Sequence, residues 1–578
     1  MQRGGIRSTL ATLFAVALLL ATGLSANAKL AFEPDPPTGA GSVAIIVSEK
    51  GLNNFSAISA ATDDESFHCE DAADPVCADA KHQGASLFMP VCASESQTPC
   101  FEKLSIRDGG SWSDAVFVGY GNDRKIEPVS SSSLPLATTP SLFSATIGGE
   151  TLTLVVRYNL TYFKANGNWS ANEMTLDVSP YETAFDPRFT QGRAYTFVNA
   201  EGKRYFAGGS GTQHIESAAQ CLWSDEGKCG LRADFPSGIA IRAEVRAPLE
   251  INGWFEGRMK DPRVQVSKSA TFQRISVEAE PVEVNRISYR TALGNVDVAG
   301  YRALNIGYSG LLEGPLTLWS DAWGQTGFEF VKRLRDPMGD KSSGKNNLWS
   351  VKTIMNAVPQ QCLTDSESIA GFVVTNASVY SGSVPEFKDG YLSYQVAGMH
   401  YEADGKTLNL GTYDMVMRSD VARCLYGFSK APISATVQVV GTAGEEKVAT
   451  TIVNERDGWL KLAAYGFTFS EKEVRVTLTQ APQPKKVSAN LSKFTGKATK
   501  LNASQRAAIE SIISQTEANS IASCTAYFVK AADKQLAEAR AKAACAYAQG
   551  LNPKLKFTST AKQTRTKGLD GRVTVVSN

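Results

Sequence analysis

Ten cysteines do most to limit what this chain can fold into. They come as an even set in local groups. Cys69 and Cys77, Cys92 and Cys100, and Cys221 and Cys229 each have seven residues between them; Cys362 and Cys424 share a later region, and Cys524 and Cys545 the last. Structural zinc ligands cluster as C-x2–4-C, and no such cluster occurs. In an exported chain an even set reads as a disulfide framework. The expected bridges are Cys69–Cys77, Cys92–Cys100, Cys221–Cys229, Cys362–Cys424 and Cys524–Cys545, with the first four cysteines open among three connectivities.

Export is read from the N-terminus. Arg3 and Arg7 precede an apolar run from Leu10 to Leu20, and small residues lead to Ala26-Asn27-Ala28. A basic start, a short apolar core and an A-x-A ending make a secretory signal. The run is shorter than the roughly 20 residues of a membrane span. Residues 1–28 are therefore expected to be removed, with Lys29 as the mature start and no transmembrane segment left. The protein is expected to be secreted or held at the cell surface or cell wall.

From Lys29 to about Gln480 the pattern is mainly β and antiparallel. Val264 and Val266, then Ile275, Val277 and Ala279, alternate with polar residues, and Thr151 to Phe163 is rich in β-branched and aromatic residues. Asn252-Gly253, Asp389-Gly390, Asp404-Gly405 and Asp457-Gly458 offer the positive φ angles of tight hairpins. No strand-helix rhythm supports a parallel α/β sheet. Asp63 to Cys100 reads as an irregular, disulfide-stapled cap. Residues 29–250 and 251–431 are taken as two β-rich regions and 432–480 as an immunoglobulin-like unit. About fifty residues is short for a sandwich of about 100, so earlier strands are expected to contribute. Ala481-Pro482-Gln483-Pro484-Lys485-Lys486 reads as a linker.

After the linker the composition changes. Asn502 or Ser504 caps a helix through Ile509, Ile512 and Ile513, and a strand follows near Ile521 to Val529. A second helix runs from about Ala532 to Gln549, with Gly550 placed to end it. Two strands finish the chain. With a short strand near Val487, residues 487–578 form a small α+β domain of order βαβαββ. From Lys485 onward there are sixteen Lys/Arg against five Asp/Glu, a local +11, whereas the whole chain carries +1, so the remainder carries 1 − 11 = −10. A basic end on an acidic body points to an anionic polymer as partner.

Leu536-Ala537-Glu538-Ala539-Arg540-Ala541 resembles the L-S-x-x-R-A helix of OmpA-like peptidoglycan-associated domains, and Gly571-Arg572-Val573-Thr574-Val575 resembles their closing N-R-R-V-x-I strand. The resemblance covers roughly Val487 to Asn578. The chain as a whole resembles secreted actinobacterial surface proteins that carry such a tail. The resemblance implies that Arg540 meets the carboxylate of a diaminopimelate residue in peptidoglycan, through the paired hydrogen bonds a guanidinium can make. It also brings Asp533, which matches the asparagine of N-x-x-L-S, and Arg572 into the ligand set. The family's turn aspartate, in G-x-T-D, is absent: Cys524-Thr525-Ala526-Tyr527-Phe528 stands there. That absence favours general electrostatic attraction over a carboxylate pocket.

Enzymatic motifs are wanting. His68, His82, His214 and His400 are scattered, Gly307-Tyr308-Ser309-Gly310 lacks the closing glycine of a nucleophile elbow at Leu311, and no phosphate-binding loop or dinucleotide fingerprint occurs. Tyr401 to Gly405 reads as a turn, not a calcium loop. Trp112, Trp169, Trp254, Trp319, Trp323 and Trp349 are read as core residues rather than sugar platforms. The expected function is therefore a non-enzymatic envelope protein whose basic tail associates with cell-wall polymer, peptidoglycan or another anionic wall polymer, and not with nucleic acid. No catalytic residue, metal or cofactor is assigned. The alternative is a secreted polysaccharide-binding or glycoside-hydrolase-type protein acting through the β-rich body, which would need a deep cleft with two acidic groups and lining aromatics.

Overall fold

The computed structural model describes residues 41–577 except 50–53, 79, 130–131, 209–220, 305–306, 310–315, 355–361, 363–368, 429–432, 442–443, 447–449, 470–471, 481–486, 516–520 and 554–555. The signal at residues 1–28, the start at Lys29, the linker Ala481–Lys486, His214 and Leu311 lie outside the described residues. The chain is mainly β and divides into two compact units, Met1–Thr479 and Gln480–Asn578.

The first unit, the body, is organised by a sixteen-stranded sheet. Its main path runs Ser66–Cys69, Ala57–Ala61, His82–Phe88, Glu150–Ala165, Asn168–Phe185, Gly344–Thr353, Gly253–Arg258, Ile369–Thr375, Leu410–Arg418, Trp459–Thr468 and Thr450–Arg456. Most neighbours are antiparallel; Gly253–Arg258 and Ile369–Thr375 are parallel. Strands from both sides of residues 250/251 and 431/432 pair within this one sheet.

Two smaller sheets cover its faces. The five-stranded sheet built on Ile239–Ala247 and Gln273–Glu280 shares a core with it that contains Phe101, Ile241, Val277, Leu160, Phe255 and Phe372. A six-stranded sheet that includes Tyr391–Ala397, Ile433–Gly441 and Lys472–Gln480 meets the other face around Trp254, Val373, Met415, Leu462, Tyr394 and Val476. Phe372 and Val374 point to one core and Val373 to the other. Hence every residue of Ile369–Thr375 is buried, as expected of a strand covered on both faces. The strands expected at 432–480 are shared between these two sheets, so the sandwich there takes in strands from 369–418.

Local chemistry sets the turns. Asp389 and Gly390 (φ 51° and 81°) and Asp457 and Gly458 (φ 52° and 81°) close antiparallel hairpins with both φ values positive, the twist-matched hairpin geometry. Asn252-Gly253 does otherwise: it carries the chain from the five-stranded sheet into the sixteen-stranded one. Asp63–Cys100 is more regular than its cysteines suggest. His82–Phe88 pairs with Glu150–Ala165 and buries Gln83, Ala85 and Leu87 at alternate positions. A helix the sequence pattern hides, Gly324–Met338, buries Phe328, Val331, Leu334 and Met338 along one stripe, at helical spacing. The structure joins Cys69–Cys77, Cys92–Cys100, Cys221–Cys229, Cys362–Cys424 and Cys524–Cys545, and no described cysteine is free. Such a set belongs to an oxidising compartment. No described helix is long and apolar enough to cross a membrane.

The second unit runs β1 (Val487–Asn490), α1 (Ala503–Ile513), β2 (Ile521–Phe528), α2 (Lys534–Leu551), β3 (Lys556–Gln563) and β4 (Val573–Ser577). The sheet order is β1-β4-β2-β3, with β2 and β3 parallel. A capping box between Asn502 and Gln505 starts α1, satisfying two orphan amides. α2 passes through Gly550 and runs to Leu551, with Asn552 as its C-cap. Both helices cover one face of the sheet, with Ile509, Ile512, Ala537, Ala541 and Ala544 against Cys524, Ala526, Val573 and Val575.

Candidate functional site

Arg540 lies on the inner face of α2 and is buried. Its Nε donates to the carbonyl of Ala498 at 2.9 Å and its Nη2 to that of Gly496 at 2.5 Å. The guanidinium stands 5.1 Å from the Phe494 ring centroid. Gly571, beside this guanidinium, holds a φ of +71°, a conformation that favours glycine. Burial lowers the pKa of Arg540 against the pull of Asp570 and Asp533. Two of its nitrogens thus already hold the loop before α1 in place.

Of the other expected ligands, Asp533 lies within electrostatic reach of Arg540. Asp533 is exposed at the start of α2 and makes no side-chain cap there. Asp570 accepts from the Val529 amide at 3.2 Å and faces Lys493 at 3.7 Å. Arg572 alternates with the buried Gly571 and Val573, so it projects from the sheet face opposite the helices. The structure therefore separates Arg572 from Arg540 by the thickness of the sheet.

That opposite face is the feature sequence reasoning missed. Register places its outward residues in rows across the strands. One row is Lys562, Tyr527 and Arg572. The next is Thr560, Thr525, Thr574 and Asn490, and a third is Thr558, Ser523, Val576 and Ser488. The Thr525 and Thr560 hydroxyls are 3.3 Å apart, and Thr574 donates to Asn490. All of these residues are exposed or half-exposed, none is acidic, and Arg572 Nε has no hydrogen-bond partner. The signal lay in alternate residues: Ser523, Thr525 and Tyr527 on one strand, Thr558, Thr560 and Lys562 on the next.

The body holds its charges differently. Asp177 is buried between Arg157, 3.0 Å away, and Arg232, 3.6 Å away. Burial would raise its pKa, but the two arginines and the Ser179 hydroxyl hold it below the usual range. Arg258 pairs with Glu49 and donates to the carbonyls of Thr375 and Ala377. Glu256 takes Lys352 at 3.0 Å, and burial raises its pKa despite that partner. Asp414 is fully buried, accepts from the Tyr465 hydroxyl at 2.6 Å and lies 3.7 Å from Lys461, which also pairs with Asp261. Burial pushes Asp414 up to about 6, against the opposing pull of Lys461 and Tyr465.

A cleft of about 600 Å³ opens beside Trp459 and is lined by Arg418, Asp420, Arg423, Glu455 and Asp457. Its carboxylates are engaged: Arg418 holds Asp420, Arg423 holds Glu455 at 2.7 Å, and Arg456 meets Asp457 at 3.1 Å. Hydrogen bonding to Arg418 keeps the Asp420 pKa low despite its partial burial. Trp169, Trp254 and Trp349 are buried, whereas Trp112 lies under Arg242 at 4.0 Å and Trp323 under Lys352 at 3.5 Å. His68 and His400 face the backbone carbonyls of Ile58 and Phe469. Among the described residues no group of three His, Cys, Asp or Glu is placed to hold a metal. No protein-family model and no curated protein matches the chain.

Proposed function

We propose that this is an exported, non-enzymatic envelope protein whose C-terminal unit associates with anionic cell-wall polymer, peptidoglycan above all. The observation that carries the reading is the charge of that unit. Sixteen cations against five acids are concentrated in fewer than a hundred residues, and Arg540 is the one charged side chain buried there among the described residues. The other described cations remain on the surface, where they attract a polyanion over roughly 8–10 Å at physiological ionic strength. The disulfides and the order strand, helix, strand, helix, strand, strand support an OmpA-like unit working outside the cytoplasm. The bonds of Arg540 to Gly496 and Ala498 favour general electrostatic attraction over a diaminopimelate pocket.

Co-sedimentation of the full chain with purified peptidoglycan sacculi tests the reading. Binding is expected at low salt and should weaken steadily as salt rises. Absence of binding in low salt overturns the proposal.

A further inference from the structure

We propose that the open face of the C-terminal sheet is where an anionic glycan strand lies. This rests on the wall-binding reading and gives it an address.

The face fits a glycan by composition and geometry. Each Ser and Thr hydroxyl both donates and accepts, as sugar hydroxyls and amides require. Neighbouring strands stand roughly 4.8 Å apart and successive outward residues roughly 6.8 Å apart along a strand, so Thr560, Thr525 and Thr574 form one row of hydroxyls and Thr558 and Ser523 extend it into the next. Tyr527 adds an aromatic ring to the end of these rows, flanked by Lys562 and Arg572. These cations, with no acidic neighbour in the rows, complement carboxylates or phosphates along the polymer. No carboxylate pairs with Lys562 or Arg572 among the described residues.

The same features disfavour other occupants. Protein interfaces gather aromatic and aliphatic residues at their centre, and Val576 is the one aliphatic side chain in the three rows. Single-stranded nucleic acid is held by stacking successive bases on several aromatics, and these rows hold one, Tyr527.

The test compares full-length variants in sedimentation with purified sacculi, after circular dichroism shows each is folded. The double variant Lys562→Gln/Arg572→Gln removes two charges from the open face. Lys534→Gln/Lys542→Gln removes two from exposed positions on α2. The face pair is expected to weaken binding roughly tenfold and the helix pair less than about twofold, because only positioned charges make contacts beyond the general field. Thr525→Val/Thr560→Val keeps charge and strand preference; it should weaken binding several-fold with the salt slope unchanged. Equal losses from the face and helix pairs would overturn the address while leaving wall binding intact. Duplex DNA bound as tightly as sacculi would overturn the glycan as occupant. Failure of the unsubstituted chain to sediment would remove the wall-binding reading and this inference together.

Discussion

The body takes charged side chains into its interior, whereas the C-terminal unit leaves them on its surface. Arg157, Asp177, Arg246, Glu256, Arg258 and Asp414 are all buried in the body. Most meet an opposite charge there, and several also meet backbone carbonyls. Among the described residues of the C-terminal unit only Arg540 is taken in, and its partners are carbonyls. Buried ion pairs add little net stability but penalise any packing that separates them. Surface cations add little to stability and remain available to a partner. Charge therefore fixes internal arrangement in one unit and lies open to solvent in the other.

The comparison breaks most visibly at Asp177. Asp177→Ala removes the carboxylate that stands between the buried Arg157 and Arg232, and the body should lose about 3–5 kcal/mol in denaturant unfolding. A loss under about 1 kcal/mol would mean that water reaches the arginines and that the body's interior is not dry there.

The second expectation concerns pH. The folded pKa of Asp414, about 6, lies above its ordinary 3.8. The native state then binds the proton more tightly than the unfolded state. Stability from this group is complete below about 3.8 and is lost as pH rises through about 6, by up to about 3 kcal/mol. In Asp414→Asn, the fall in melting temperature of the body between pH 4.5 and 7 should flatten; an unchanged slope would assign that fall to another group.

Third, replacing Cys524 and Cys545 by alanine opens a loop with a sequence separation of 21, worth about 3 kcal/mol in the chain-entropy model. The C-terminal unit should melt earlier while the body's transition stays in place. A shift of both transitions would show that the two units unfold together. Smallest is Arg540→Ala, which removes two hydrogen bonds to carbonyls and should destabilise the C-terminal unit by about 1.5–3 kcal/mol. Measured where the variant remains folded, its affinity for sacculi should stay within about twofold of the unsubstituted chain. A much larger drop would restore Arg540 as a ligand.

Much of the β pattern could be read directly. Val264 and Val266, and Ile275, Val277 and Ala279, sit in strands with their apolar side inward, because period two is written in side-chain type. The helix Gly324–Met338 was concealed by Gly324, Gly327 and Pro337, all poor helix formers. Gly327 is there for packing: a Cβ would come within 2.8 Å of Val379 Cγ1 and 2.9 Å of the Asp321 carbonyl. Strand partners were beyond reach, since Gly253–Arg258 and Ile369–Thr375 carry no mark naming each other. At the site, Arg540 was legible as a residue worth attention, but its partners are backbone carbonyls at Gly496 and Ala498, which side-chain patterns cannot signal. The open face was written in alternate residues of β2, β3 and β4; which side the helices would cover was not.

The placement of Ser42–Ser48 has a consequence in time. This early strand lies between Ser288–Ala292 and Leu316–Asp321, so it finds its first partner only after residue 292 has been made and its second only after residue 321. Ile369–Thr375 waits longer, for cover on both faces. Long-range pairing of this kind makes folding slow. Local bridges such as Cys69–Cys77 can close as their short segments reach an oxidant, whereas Cys362–Cys424, 62 residues apart, joins stretches brought together by the folded body. The oxidation state of that last pair would serve as a clock for how far folding has gone.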